Sequence, residues 1–429
     1  MTKKLLDDCF LHDADRLRHE DAIKLLRSRL APVAETETVP LNQAAGRILA
    51  EPLTAPRDIP AHTNSAVDGY AFSHSDYERD QGSEFRVSAR AAAGHPVVES
   101  VPPNTAVRIF TGAEMPAGLD TIVMQEDCES EEKSDGEWIR VPGGLKPSAN
   151  CRLAGEDVVA GAMVLDKSQR LRPQDVATAA SAGAASLLCY KPLIVGLFST
   201  GDEIIRPGEP LSVGQVYDAN APMLQALVAL SGAETVDLGV LPDDRAIVTE
   251  KLKEAAGKYD VLLTSGGASR GEEDYVVKAL DELGKLHMWQ IAVKPGRPIS
   301  FGQIGDCAFA GLPGNPVAVF VCFLLYIYPM LVRMGGGNWV EPQRYPVKAN
   351  FDMPSKKPGR REFLRGTLST TAGGEVAVSK YASEGSGLIS SLRASDGLVE
   401  IGEDVTAIAE GDAVAFIPFS EFGILGRGA

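Results

Sequence analysis

Val261-Leu262-Leu263-Thr264-Ser265-Gly266-Gly267-Ala268-Ser269-Arg270-Gly271-Glu272-Glu273-Asp274 reads as a buried β-strand running into a loop that is rich in hydrogen-bond donors and ends on carboxylates. A helix follows from about Tyr275. Strand, glycine loop and helix in that order form the repeating unit of an open α/β sheet, where ligands bind beyond the carboxyl ends of the strands and helix N-termini favour anions. Ser265, Gly266, Gly267 and Arg270 are placed to cradle a phosphate, with Asp274 placed to hold a metal. A tight turn whose acids favour the helix N-terminus accounts for the same residues.

The same alternation surrounds this segment. Residues 193–198 and 235–240 have strand character, and residues 222–230 and 246–256 have helical character. Such an order implies right-handed crossovers and a largely parallel sheet. Two strand ends carry acids, in Ser199-Thr200-Gly201-Asp202-Glu203 and in Pro242-Asp243-Asp244-Arg245. Carboxylates at adjacent strand ends suit Mg²⁺, a hard cation that seeks oxygen ligands. The stiff turn Lys294-Pro295-Gly296-Arg297-Pro298 follows a predicted strand over 289–293 and sets two cations where an oxyanion can be held. In Gly311-Leu312-Pro313-Gly314-Asn315-Pro316, Asn315 stands where it would cap the next helix, and the glycines allow close approach of a ligand. That helix is expected over 317–328, an uncharged run stopped by Pro329. At about 18 Å it falls short of a ~30 Å hydrocarbon core and reads as a buried core helix.

Elsewhere the texture changes. Residues 21–30 have helical spacing, with apolar residues at Ile23, Leu26 and Leu30, a second short helical pattern covers 41–49, and the first sixty residues read as mainly helical. Residues 105–110, 120–124 and 137–141 are short β-type runs between Gly, Pro and charged turns. Glu129, Glu131, Glu132 and Asp135 read as a solvated hairpin tip. One helix opens near Pro173 and closes at Gly183, a Pro-start and Gly-stop pattern. After Gly335-Gly336-Gly337 the chain returns to short strands, as in a small barrel or sandwich. The expected fold is therefore multi-domain α/β plus β. A central three-layer α/β domain with a mostly parallel sheet (191–340) is joined by a β-rich inserted domain (62–150), a mixed N-terminal dimerisation or linker segment (1–61 with 151–190) and a C-terminal β-barrel-like domain (341–429).

Composition narrows the function classes. With 429 residues, 44% of them hydrophobic and 23% charged, the chain can bury several cores. A net charge of −16 opposes binding to a nucleic-acid backbone. The basic head Lys3-Lys4 is followed by acids before any apolar stretch of signal length, which points to the cytoplasm and away from a membrane. Six scattered cysteines form no CxxC pair, so zinc and disulfide frameworks lack support. Neither a Walker A nor a GxGxxG pattern occurs, and no Ser-His-Asp or Cys-His constellation stands out.

Taken in order, the segments Asn64-Ser65-Ala66-Val67-Asp68-Gly69-Tyr70-Ala71, Arg108-Ile109-Phe110-Thr111-Gly112-Ala113 and Gly155-Glu156-Asp157, with the loops at 199–203, 265–274, 294–298 and 311–316, resemble the MoeA family of molybdopterin molybdenumtransferases, which includes the E domain of gephyrin. The resemblance spans nearly the whole chain. The Asp68 and Thr111 segments separate it from the related adenylyltransferases, which share the glycine loops.

The resemblance implies an elongated homodimer in which the α/β domain of one subunit faces the β-rich domain of the other, so that Asp68 and Thr111 act from the partner. It further implies an enzyme that takes adenylylated molybdopterin and molybdate, inserts the metal at the dithiolene sulfurs and releases AMP with Mg²⁺. Glu203, Asp243 and Asp274 fall to the metal and nucleotide, Lys294 and Arg297 to phosphate or oxyanion, and Asp68 with Thr111 to the molybdate end. Ser265, Gly266, Gly267, Arg270, Gly296, Pro313, Gly314, Asn315 and Asp218 fall to cofactor binding, with Arg360 and Ser386 as distal pterin or molybdate contacts. Gln290 departs from the family pattern, standing where many members carry Lys, and Arg270 is placed to supply the missing charge. Expected partners are a molybdopterin adenylyltransferase and proteins that mature molybdoenzymes. An adenylyltransferase activity and a non-catalytic cofactor-handover scaffold remain as alternative readings.

Overall fold

The structure is a computed structural model that describes residues 17–267, 275–296, 298–371 and 373–426. At its centre lies a six-stranded sheet in the order Glu234–Leu241, Ile194–Thr200, Val261–Ser265, Cys307–Leu312, Pro298–Ile304, Lys285–Gln290. The first four strands are parallel, so their carboxyl ends share one edge. The last two are antiparallel. Helix Asn220–Ser231 packs with the long core helix on one face, while Arg245–Ala256 and Tyr275–Leu283 cover the other. Every residue of Val261–Ser265 is buried, as expected for a strand covered on both faces.

The core helix is longer than its sequence implies. It runs without a break from Pro316 to Met334, passing through Pro329 rather than stopping there. Phe323–Ile327 forms a π-turn immediately before the proline. A proline removes the N–H that would bond four residues back, and the wider turn shifts the hydrogen-bond register where that bond would be lost. Among the described residues this 19-residue helix alone is long and apolar enough to cross a membrane, with a mean hydropathy of 2.1, but 89% of its apolar window is buried inside the protein.

The inserted region forms its own six-stranded sheet, ordered Thr121–Met124, Gly69–Phe72, Thr105–Ile109, Ser83–Ala91, Gly136–Val141, Glu129–Lys133. The acidic run Glu129–Lys133 is its edge strand, and Asp135 at the hairpin tip accepts a 3.0 Å bond from Nε1 of Trp138. The segments flanking the insertion rejoin each other. Thr36–Pro40 pairs with Ser186–Tyr190 and Leu53–Thr54 with Met163–Leu165, over a core of Val39, Leu49, Leu171 and Leu187. No helix covers 41–49. A 3-10 turn at Leu41–Gln43 is followed by Gly46 in the left-handed region, and Ile48 and Leu49 bridge to Arg170 and Cys189, so long-range pairing overrides the local helical spacing. Helix His19–Arg29 packs instead on the α/β core through Ala22 and Leu26.

In the C-terminal region Arg361–Thr370 pairs with both Val376–Lys380 and Gly397–Ile401, and Tyr345–Ala349 and Ala413–Pro418 complete a closed five-stranded barrel without free edges. Val293–Lys294 pairs with Arg361–Thr370. The strand expected over 289–293 is thus two pieces: Lys285–Gln290 ends in the α/β sheet, and Val293–Lys294 crosses to the barrel. The Lys294 turn is therefore set at the seam between two domains.

Candidate functional site

The parallel strand ends converge as the sequence predicts, and two side chains fasten them. Nδ2 of Asn220 donates to Oγ of Ser265 at 2.8 Å and to the carbonyl of Gly314 at 2.7 Å, tying two glycine loops to one helix N-terminus. Its Oδ1 is buried with no partner. Oγ1 of Thr200 donates to the carbonyl of Ser265 at 3.3 Å. Gly266 has φ +90°, and a Cβ there would lie 2.4 Å from that hydroxyl oxygen, so only glycine brings the two loops this close.

Gly267, Lys294, Pro295, Gly296, Pro298, Pro313, Gly314, Asn315 and Ala318 line a cavity of ≈ 380 Å³, together with Glu384 and Ser386 from the barrel. A space of that size suits a small-molecule ligand. Nζ of Lys294 donates to Glu384 at 2.6 Å and to Glu362 at 3.2 Å. Burial on its own would depress this ammonium, but the hydrogen bond to Glu384 and the charge of Glu362 raise it above the ordinary lysine range, so it stays charged. Asn315 sits at the N-cap of the core helix without a side-chain capping bond, contrary to the capping role expected of it. Its side chain is left for the cavity wall.

Asp218 is turned inward. It is 3% exposed, with Oδ1 accepting from the N–H of Ala221 at 2.9 Å and Oδ2 accepting from Ser199 and, at 2.7 Å, from Arg206. Its carboxylate holds the start of the Asn220 helix and does not line the cavity. Asp202 and Asp243 accept from each other's backbone N–H groups, Asp243 N–H to Asp202 at 3.1 Å and Asp202 N–H to Asp243 at 3.4 Å. The side chain of Glu203 folds back against Gly201, where a Cβ would meet its Oε2 at 2.3 Å. Glu203 and Asp243 offer hard oxygen donors at neighbouring strand ends, but among the described residues no three potential ligands come together to hold a metal ion. Arg270, Asp274 and Arg297 lie outside the described residues.

A second cluster sits on the inserted domain. Oδ1 of Asp68 accepts from the backbone N–H of Thr111 at 2.8 Å and from its hydroxyl at 2.7 Å. These donors, the backbone one first, hold the Asp68 carboxyl below the usual carboxylate range, and the Arg108 guanidinium adds to the effect. Ser65 and the Gly112-Ala113 turn exchange backbone bonds of 2.8 and 2.9 Å, so the motifs at 64–71 and 108–113 become neighbours, while the 155–157 motif bonds back to Ile59 and Pro60. Neither Asp68 nor Thr111 lines the cavity around Lys294.

Ser386 is part of the cavity wall, whereas Arg360 is not, its described contact being a backbone carbonyl that accepts from Lys356 at 2.7 Å. Gln290 is exposed at the end of its strand and is likewise absent from the wall. Asn220 and Glu384 escaped the sequence reading. Asn220 carries a weak signal, a polar residue at a helix start just after an acid. Glu384 carries none, because the barrel fold brings it across ninety positions of sequence to Lys294.

Three family models match in order along the chain. They describe the MoeA N-terminal region (domain I and II) over residues 17–183, a probable molybdopterin binding domain over 196–333 and the MoeA C-terminal region (domain IV) over 346–419. The molybdopterin molybdenumtransferase of Haemophilus influenzae is 36% identical over 387 residues, which cover 90% of this chain and 94% of that protein. Its Nostoc sp. counterpart is 35% identical over 349 residues, covering 79% and 78%. The crystal structure of the molybdopterin biosynthesis moeA protein from Pyrococcus horikoshii OT3 matches with a TM-score of 0.80 at 32% identity, over 94% of this chain and 100% of that one. Domain content, sequence and fold agree: the chain belongs to the MoeA family of molybdopterin molybdenumtransferases.

Proposed function

We propose that this protein is a molybdopterin molybdenumtransferase that inserts molybdenum from molybdate into adenylylated molybdopterin and releases AMP. The observation that carries this reading is the convergence of the Ser265-Gly266-Gly267, Pro313-Gly314-Asn315 and Lys294-Pro295-Gly296 loops on one cavity that contains a charged lysine, in a chain of this family. The glycine loops offer backbone N–H groups to phosphate, and Lys294 pairs with an oxyanion as a point charge. Water cleaves the phosphoanhydride, giving AMP and the pterin phosphate. Molybdate gives up one oxygen as water while the two dithiolene thiols lose their protons to it and bond the metal. Glu203 and Asp243, with Asp274, are the residues that would hold Mg²⁺, which would neutralise charge on the phosphates. No protein thiol is required, since the sulfur ligands belong to the pterin.

Asp68 and Thr111 enter as the molybdate end of a site completed by a second copy of the chain. The proposed assembly is a homodimer working in the cytoplasm, supplied by an adenylyltransferase and unloaded by proteins that mature molybdoenzymes. AMP release from adenylylated molybdopterin with Mg²⁺, measured with and without molybdate, tests the reading. Molybdate-dependent release supports it. Adenylate formation from ATP and molybdopterin in its place would assign the preceding step, and tight binding with neither reaction would assign a handover scaffold.

A further inference from the structure

Lys294 faces two carboxylates that differ in kind. Glu362 lies on a barrel strand with its side chain only 6% exposed, whereas the Glu384 side chain is 37% exposed and lines the cavity. Glu384 belongs to the irregular segment between Val376–Lys380 and Ile389–Arg393. The backbone of that segment is pinned without it. Nη2 of Arg365 donates to the carbonyls of Ser383 at 2.8 Å and Gly385 at 3.3 Å, and Val317 N–H donates to the carbonyl of Ser386 at 3.0 Å. The main chain around Glu384 is thus held by bonds that do not involve its side chain. The other Glu384 oxygen already lies 3.6 Å from Nζ of Lys380, which offers it a second seat.

One ammonium shared by two carboxylates leaves no net positive charge for an incoming anion. We propose that Glu384 is a specificity-determining residue that occupies the oxyanion's place on Lys294 and must swing toward Lys380 before molybdate can bind. The inference rests on the reading of Lys294 as the residue that holds the oxyanion. Glu362 remains as the fixed partner that keeps Lys294 oriented. The exchange of one anion for another sets the affinity for molybdate and rejects anions too weakly charged to displace a carboxylate at 2.6 Å.

The test is direct binding of sodium molybdate to the full-length protein by calorimetry, without pterin. E384Q keeps the side-chain shape but not the charge, and is expected to bind molybdate roughly three- to tenfold more tightly than the wild type. K380M removes the second seat and is expected to bind it more weakly, which keeps the proposal testable if E384Q fails to fold. Unchanged or weaker binding by folded E384Q, no binding by either protein, or unchanged binding by K380M would overturn the gate. Lys294→Met separates the oxyanion role of Lys294 from the gate at Glu384. If it binds molybdate as the wild type does, the reading of Lys294 fails and the gate with it, whereas loss of binding in that variant beside an unaltered E384Q would sink the gate alone.

Discussion

Asp68 and Thr111, 43 positions apart, are locked together by two hydrogen bonds to a single oxygen, Oδ1 of Asp68, one from the Thr111 backbone and one from its hydroxyl. The other Asp68 oxygen takes no part in this pairing, so the carboxylate is oriented and kept ionised at once. Thr111→Val removes the hydroxyl donor and spares the backbone one. We expect molybdate-dependent AMP release to fall by more than about tenfold with little change in thermal stability, as for a surface substitution. Because the folded-state pKa of Asp68 is depressed, its ionised form persists as pH falls. Thr111→Val should move the acid limb of the pH–rate profile upward, and an unmoved limb would separate Asp68 from the rate.

Asn220→Ala deletes the bonds to Ser265 and Gly314 that hold two loops in register. Losing them should cost about 1–3 kcal/mol in urea unfolding. The Michaelis constant for the nucleotide-linked pterin should rise more than kcat falls, since the loops bind substrate in ground and transition states alike. Asn220→Asp, which has no Nδ2 donor, should not rescue it.

Two glycines of the cavity wall should respond in opposite ways. Gly296 has φ +107°, and an added Cβ would lie 2.2 Å from Sγ of Cys322, so Gly296→Ala should lower stability by roughly 1–3 kcal/mol through strain and displacement of the core helix. Gly314 has no atom within 4 Å of the added carbon. Gly314→Ala should keep the melting temperature and weaken substrate binding, because the methyl group enters the cavity. Melting curves and activity of both variants test the contrast.

Arg361 ties three elements together. It donates to Glu400 at 2.8 Å, to Glu403 at 2.9 and 3.0 Å and to Glu20 of the N-terminal helix at 2.8 Å, and both barrel carboxylates are 8% exposed. Arg361→Ala leaves those buried carboxylates short of a partner and should cost about 3–5 kcal/mol in urea unfolding. Arg361→Lys should recover little, because an ammonium cannot reproduce the fork.

His19 provides a pH signature. Its Nδ1 lies 2.8 Å from the hydroxyl of Tyr326, and burial first, then the charges of Arg361 and Arg344, lower its pKa from 6.5 to about 3. A depressed folded-state value means that its contribution is complete above pH 6.5 and is lost as pH falls from there toward 3. Between pH 6.5 and 5 the wild type should lose roughly 1–2 kcal/mol more than His19→Gln, which keeps a hydrogen-bonding side chain but does not titrate. Parallel pH–stability curves would contradict this.

What could be read from sequence follows the range of the interactions. The strand Val261–Ser265 and its glycine loop are written locally, in an apolar run followed by residues that permit a tight turn, so the α/β domain and its ligand edge are legible. The helix continuing through Pro329 is not, because the proline is accommodated by a π-turn that no spacing of apolar residues encodes. The 41–49 segment misleads for a similar reason, since pairing with Arg170 and Cys189 outweighs its helical spacing. Within the site, the loops and Lys294 were legible as motifs. The inward turn of Asp218 follows from bonds to Ser199, Arg206 and Ala221 that no local pattern announces, and the contact between Lys294 and Glu384 depends on how the barrel meets the α/β domain.

Counting both products of one reaction tests whether this cavity transfers molybdenum. Protein incubated with adenylylated molybdopterin, Mg²⁺ and molybdate is desalted, its bound molybdenum is determined by mass spectrometry and the AMP set free is determined by chromatography. One AMP released for each molybdenum retained on pterin is expected, with both lost in Lys294→Met. AMP release that leaves the pterin without molybdenum, or molybdenum retained equally by Lys294→Met, would contradict this.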